Sequence, residues 1–306
     1  MRFLMVGTGG LGGYFGARLH AAGNEVIFCA RGNSRAALVE NGLTVTSGAE
    51  TIRVEKPLLN DTPEAGGFVD AIIVCTKMTA LDGVFETARA YAGPDTMVLS
   101  LQNGVEAEDR LAGDFGPGAV IGATARISAT LVAPGVVDHA GPGFNKITIG
   151  ERDSSSSARI DALAAALDVP GIDVEIAADV TLDTWTKFCF MASLSAAACY
   201  YRATLGEILG DTEKLATFRQ LIEETAAVGR ARGVALPDGV TDALIAMMRS
   251  MAPEVKPSTL VDLEQGRPLE VEWLSGAVIR LGGETGVATP THQKIYEALK
   301  PHFEGA

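Results

Sequence analysis

Two short stretches hold the groups that could do chemistry. The first is Gly7-Thr8-Gly9-Gly10-Leu11-Gly12, a G-x-G-x-x-G spacing. Backbone N–H groups of such a loop, placed at the start of a helix, can cradle a pyrophosphate. Gly7 permits the tight turn, Gly9 lets the backbone approach the phosphates, and Gly12 lets the helix pack close to the strand. With 35 glycines in 306 residues the bare pattern arises easily. Its weight comes from the apolar run Arg2–Val6 before it and the helical stretch Tyr14–Ala22 after it.

The second stretch runs from Thr184 to Met191, where Lys187 stands in apolar sequence with no further charge until Arg202. Burying an ammonium without a partner is costly. This lysine is therefore paired, deprotonated or near water, or it sits in the first turn of its helix with its head in solvent. The chemistry open to it concerns an oxyanion. Hydride reduction of a ketone leaves an alkoxide, and a lysine can both donate the proton and stabilise the developing charge. Its ordinary pKa of about 10.4 would need adjustment by burial and neighbours. A carboxylate would keep it charged and aimed, and Asp262 and Glu270, in the segment Ser258–Glu270, are candidates.

Three strand tips add polar groups. An NAD site usually places Asp or Glu about 20 residues beyond the glycine loop, at the end of the second strand, for the ribose 2′-hydroxyl. Here that strand, Glu25–Ala30, ends in Arg31, followed by Gly32, Asn33, Ser34 and Arg35. A guanidinium at this position suits a 2′-phosphate, which selects NADP(H); otherwise Arg31 is an exposed loop arginine. Lys77 follows the strand Ala71–Thr76 and could help fix the cofactor. Asn103 follows Leu101-Gln102 and could contact nicotinamide ribose or substrate, although Asn-Gly is also a common turn pair.

These groups need a scaffold, and the pattern supplies one. Over the first 150 residues, apolar strands (Arg2–Val6, Glu25–Ala30, Ala71–Thr76, Met97–Leu101, Val120–Ala123) alternate with helical stretches, which predicts a Rossmann-type doubly wound α/β sheet. Leu43–Thr46 and Ile52–Lys56 form a hairpin pair. Val136–His139, a Gly141–Gly143 turn and Lys146–Ile149 are expected as antiparallel additions at the sheet edge, followed by a Ser154–Ser157 loop, a helix Ala158–Leu167 and a strand Asp173–Ile176. Beyond Ala177 only helical patterns remain: Asp179–Tyr201, Glu213–Arg232, Pro237–Met251, Leu269–Thr285 and Pro290–Leu299, with Pro237 suited to a first turn. The expected organisation is a dinucleotide-binding domain over residues 1–177 and an all-helical domain over 178–306, with a cleft between them as the natural substrate site.

Composition narrows the classes. A net charge of −13 leaves no basic footprint for nucleic acid or an anionic membrane. No leader is expected, because Phe3–Val6 runs straight into glycines, and Phe188–Tyr201 is too short to span a bilayer. Cys29, Cys75, Cys189 and Cys199 lie in apolar runs without a C-x-x-C pair and read as free buried thiols of a reducing cytoplasm. The four histidines are too scattered for a metal site, and none is taken as catalytic. The apolar residues of the helical half could form a core or a homodimer face.

Taken together, the glycine loop, Arg31, Lys77, L-Q-N-G at 101–104, W-T-K at 185–187, and S-x-x-x-D with G-R-P-L-E through Glu270 resemble the ketopantoate (2-dehydropantoate) reductase family over nearly the whole chain. The resemblance implies NADPH reduction of a 2-oxo acid, 2-dehydropantoate, on the route to pantothenate. It implies Lys187 as general acid with Glu270 as its carboxylate partner. Asn103 and Ser258 would bind substrate or nicotinamide, Asp262 would be structural or close to substrate, and Arg31 would hold the 2′-phosphate. Family members commonly carry asparagines one and two helical turns after the lysine. This chain has Met191 and Ser195 there, on the lysine's face. Ser195 remains a candidate substrate contact. Met191 donates no hydrogen bond, which leaves open a related NADP(H)-dependent reductase or dehydrogenase of another 2-oxo or 2-hydroxy acid, such as one with a more apolar tail, and a regulatory NADP-binding protein is a third alternative.

Overall fold

The computed structural model describes residues 1–60, 67–140 and 145–305. The expected Gly141–Gly143 turn lies outside the described residues. By its internal contacts the chain divides into two units. One comprises Met1–Gln102 and Ala107–Val180, and the other comprises Asn103–Glu106 and Thr181–Ala306.

The first unit contains β1 (Arg2–Val6), α1 (Gly10–Ala21), β2 (Glu25–Cys29), α2 (Gly32–Asn41), β3 (Leu43–Ser47), β4 (Glu50–Val54), β5 (Leu58–Leu59), β6 (Ala71–Val74), α3 (Asp82–Arg89), β7 (Met97–Ser100), α4 (Ala107–Phe115), β8 (Val120–Ile127), β9 (Ala129–Ala133), β10 (Val136–His139), β11 (Asn145–Gly150), α5 (Ala158–Leu167) and β12 (Asp173–Ile176). Eight strands make the main sheet in the order β12-β11-β8-β7-β6-β1-β2-β5. The six from β5 to β8 are parallel, and β11 joins antiparallel to β8. Phe3, Leu4, Met5, Ile72, Ile73 and Leu99 are fully buried, as near-continuous apolar strands of a parallel sheet must be.

The other four strands form a second sheet, β4-β3-β10-β9. This corrects the expected edge addition. β11 does join the main sheet antiparallel, but β10 does not pair with it: β10 lies parallel to β3 and antiparallel to β9. Thr46 Oγ1 donates to Asp138 Oδ1 at 2.7 Å across 92 residues of chain. α1 is thinned by glycine toward both sheets. A Cβ on Gly16 would sit 2.5 Å from the Phe28 ring, and one on Gly13 would sit 2.8 Å from Val137. Arg31, expected on a loop, is the residue before α2, whose single buried residue is Leu38.

The second unit contains α6 (Val180–Tyr201, of which Val180 packs with the first unit), α7 (Leu205–Gly210), α8 (Thr212–Ala231), α9 (Val240–Met248), α10 (Ser258–Glu264), α11 (Ser275–Thr285) and α12 (Pro290–Leu299). The expected continuous helix over 269–285 is broken. Val271–Trp273 is a 3-10 turn, and Leu274, at φ −111° and ψ −89°, separates it from α11. Pro237 stands before α9 rather than in its first turn. Asp211 starts α8 by accepting from the Glu213 and Lys214 N–H groups at 2.9 and 3.0 Å.

His292 is fully buried in this unit. Its Nε2 faces the Leu221 carbonyl at 3.1 Å, which can only accept, so Nε2 carries the proton and Nδ1 accepts from Ser275 Oγ at 3.1 Å. Burial holds its pKa down to about 4. The unfolded imidazole, with a pKa near 6.5, takes up its proton first as pH falls. Stability is therefore lost between about pH 6.5 and 4, by up to about 3 kcal/mol. His292→Gln should flatten the urea midpoint against pH in that window; a slope unchanged from wild type would show that other groups set it.

Candidate active site

The glycine loop lies outside the carboxyl end of β1, where the strand order reverses between β2 and β6. Gly7 has φ +98°, and a Cβ there would lie 2.8 Å from the Thr76 side chain, so the turn requires glycine. A Cβ on Gly12 would come 2.0 Å from the Gly7 carbonyl oxygen. Nothing lies within 4 Å of one on Gly9, which leaves open space in front of the loop. Gly10 abuts the Ala129 carbonyl of β9, so the second sheet forms a wall of the site. Thr8 turns inward, its Oγ1 donating to the Cys29 carbonyl at 3.1 Å, and Leu11 is half-buried beside the loop.

A cavity of about 220 Å³ runs from Val6–Gly9 past Cys29–Arg31 to Asn60 and α3. Arg31 is exposed, and its guanidinium donates to the Gly83 carbonyl across the cavity. Lys77 is exposed at the tip of β6, just before the 3-10 turn Met78–Ala80. Gln102 joins the tips of β6 and β7 by donating from Nε2 to the Thr76 carbonyl at 2.8 Å. Asn60 also lines the cavity, and its buried Oδ1 has no hydrogen-bond partner among the described residues. An open glycine cradle, a guanidinium and an uncommitted buried acceptor fit a dinucleotide. Asn60, Ser34, Val84 and Thr87 carry no motif that sequence reading could have singled out.

In the helical unit Lys187 lies about two turns inside α6, not in its first turn, and is half-buried. Trp185 and Phe188 beside it are buried, and their rings meet edge to face at 5.6 Å. Met191 is half-buried one turn on. Ser195, two turns on, is 1% exposed, and its hydroxyl has no hydrogen-bond partner among the described residues. Ser258 opens α10 and is exposed. Asp262 is buried and accepts from Arg267 Nε at 2.7 Å, which gives its carboxylate a local structural task.

Glu270, half-buried, immediately precedes the 3-10 turn, and its carbonyl accepts from Trp273 N–H at 3.0 Å. The segment carrying Asn103 is fastened to that same turn. Gly104, at φ +108°, leaves room for the Trp273 carbonyl, 3.1 Å from where a Cβ would be. Arg280 donates to Glu106 at 2.7 Å and also binds the Glu272 carboxylate, to which Tyr296 donates its hydroxyl. Its guanidinium lies 5.6 Å from the Trp273 ring centre. Glu106, three residues after Asn103, and Glu272, two residues after Glu270, are thus held by one guanidinium.

Family models carry these two regions as ketopantoate reductase PanE/ApbA, matching residues 3–154, and its C-terminal part, matching residues 179–303. The chain belongs to the ketopantoate reductase family. It is an oxidoreductase of that family. It is 31% identical to a 2-dehydropantoate 2-reductase of Archaeoglobus fulgidus over 300 residues, covering 98% of this chain and 97% of the relative. A 2-dehydropantoate 2-reductase structure from Geobacter metallireducens superposes with a TM-score of 0.89 at 30% identity, over 98% of this chain and 99% of that one. D-mandelate dehydrogenase, solved with NADH and anilino(oxo)acetate, has the same fold, with a TM-score of 0.88 at 23% identity over 99% and 98% of the two chains.

Among the described residues no group of His, Cys, Asp and Glu could hold a metal ion, and no helix is long and apolar enough to cross a membrane. All four cysteines are free, three of them buried and Cys75 half-buried. Burial pushes the thiols of Cys29, Cys189 and Cys199 up to about 12, and that of Cys75 up as well, which keeps them protonated.

Proposed function

We propose that this chain reduces a small 2-oxo acid with NADPH, 2-dehydropantoate being the first candidate. The observation that carries the reading is the half-buried lysine inside an apolar helix, in a chain whose other unit holds an open glycine cradle with an arginine at the tip of its second strand. Bound NADPH supplies the hydride. Lys187 donates a proton from Nζ to the carbonyl oxygen as negative charge develops on it. Glu270 keeps that amine charged and oriented. Asn103, Ser195 and Ser258 supply polar contacts to substrate, with Asn103 also toward nicotinamide. Gly7–Gly12 hold the pyrophosphate, with Lys77 beside them.

A panel of 2-oxo acids, ketopantoate first, followed by loss of NADPH absorbance, tests this reading. Oxidation with none of them points instead to a regulatory NADP-binding protein. Met191 favours a second reading within the same chemistry, a 2-oxo acid with a more apolar tail. That reading wins if such an acid has the higher kcat/KM. For the cofactor, Arg31→Ala should weaken NADPH by about tenfold or more and NADH hardly at all, because only the first carries the phosphate that a guanidinium fork grips. Equal losses in a fluorescence titration would remove Arg31 from that role.

A further inference from the structure

We infer that Asn60 reads the purine base of the cofactor, an inference that rests on the NADP(H) reading above. Asn60 directly follows β5, the outermost strand beside β2. Its backbone N–H donates to the Phe28 carbonyl at 3.2 Å, which fixes the residue at the carboxyl edge of the sheet. Its side chain lines the same cavity as Gly7, Gly9 and Arg31. Along that edge the order is the glycine loop after β1, Arg31 after β2, and Asn60 after β5. A dinucleotide laid with its pyrophosphate on the first and its 2′-phosphate on the second directs adenine toward the third. Ala80 and Val84 line the cavity too and offer apolar surface to a flat ring.

Among the described residues the Asn60 oxygen has no donor, and this gives the placement its chemistry. A buried amide oxygen without a donor is a liability that folded proteins rarely keep without use. A carboxamide matches adenine in a defined way: its oxygen accepts from the 6-amino group while its NH2 donates to N7. Bound adenine would satisfy both poles of Asn60 at once, and a base with a carbonyl at position 6 would set oxygen against oxygen.

The test compares NADPH with its hypoxanthine analogue, which keeps N7, the pyrophosphate, the 2′-phosphate and nicotinamide but carries oxygen at position 6. Dissociation constants come from nicotinamide fluorescence, without turnover. The wild-type protein should prefer NADPH by about tenfold or more. Asn60→Ala should bring the ratio close to one, and Asn60→Asp, which keeps the acceptor, should preserve it. Because the readout is a ratio within each variant, a general loss of stability does not imitate it. Equal affinities in the wild type, or a ratio unchanged in Asn60→Ala, overturns the assignment while leaving NADPH binding intact. Failure of the wild type to bind NADPH at all is a different result, which removes the cofactor reading and this inference with it.

Discussion

Lys187→Ala should lower kcat by about two to four orders of magnitude while NADPH binds as before. The residue lies inside an apolar stretch of α6, half-buried, where a cation is worth more to a nearby oxyanion than it would be in open water. On the proposed reading, removing the amine takes away both the proton and the charge that the reduced carbonyl needs. Lys187→Arg separates the two. It keeps the charge but releases no proton near neutral pH, so it should recover only part of the loss. Stopped-flow single turnovers with NADPH, beside a fluorescence titration of the cofactor, give both quantities. A Lys187→Ala protein with near-normal rates would remove the lysine from the chemistry.

Gly12→Ala should have the second large effect. The added Cβ would lie 2.0 Å from the Gly7 carbonyl oxygen and 3.0 Å from the Cys75 Cβ, and the first of these is backbone that cannot rotate away. α1 must back off the sheet. That overpacking costs about 1–3 kcal/mol, or several degrees in Tm, and it spoils the amide cradle as well. Gly9→Ala is the control, since its Cβ meets nothing within 4 Å. It should melt like the wild type and lose affinity only because the methyl group stands where phosphate would. A Gly12→Ala protein with wild-type Tm and NADPH affinity would show that the close approach is dispensable.

Much of the architecture could be read because it is written locally. Apolar runs ended by glycine, and L-Q-N-G with its positive-φ Gly104, mark strand tips without knowledge of their neighbours. The second sheet could not be read in this way. Its β3–β10 pairing joins residues about 90 apart, and nothing in V-V-D-H says that its partner is β3 and not the nearer β11. α2 escaped because it begins Gly-Asn-Ser and buries only Leu38, so it lacks an apolar stripe. In the site, Lys187 stood out as a charge in apolar sequence. Asn60 had no such contrast, and only its place at a strand end beside the cavity reveals it. The fastening of the segment 103–106 to the turn Val271–Trp273 depends on Glu106 and Arg280, which look like ordinary surface charges when read singly.

The tetrapeptide Asn103–Glu106 has a consequence for dissection of the molecule. The chain passes between its two units at 102/103, at 106/107 and again at 180/181. A recombinant C-terminal half begun at Thr181 would omit Glu106, leaving Arg280 with Glu272 but without its other carboxylate, and the Trp273 carbonyl without Gly104 against it. Such a half should be less stable than the same residues are in the intact chain, and adding the tetrapeptide back in trans would face the full entropy of a bimolecular encounter. Gene fission or module exchange at the obvious interdomain joint would therefore break a stitch lying far upstream of the cut.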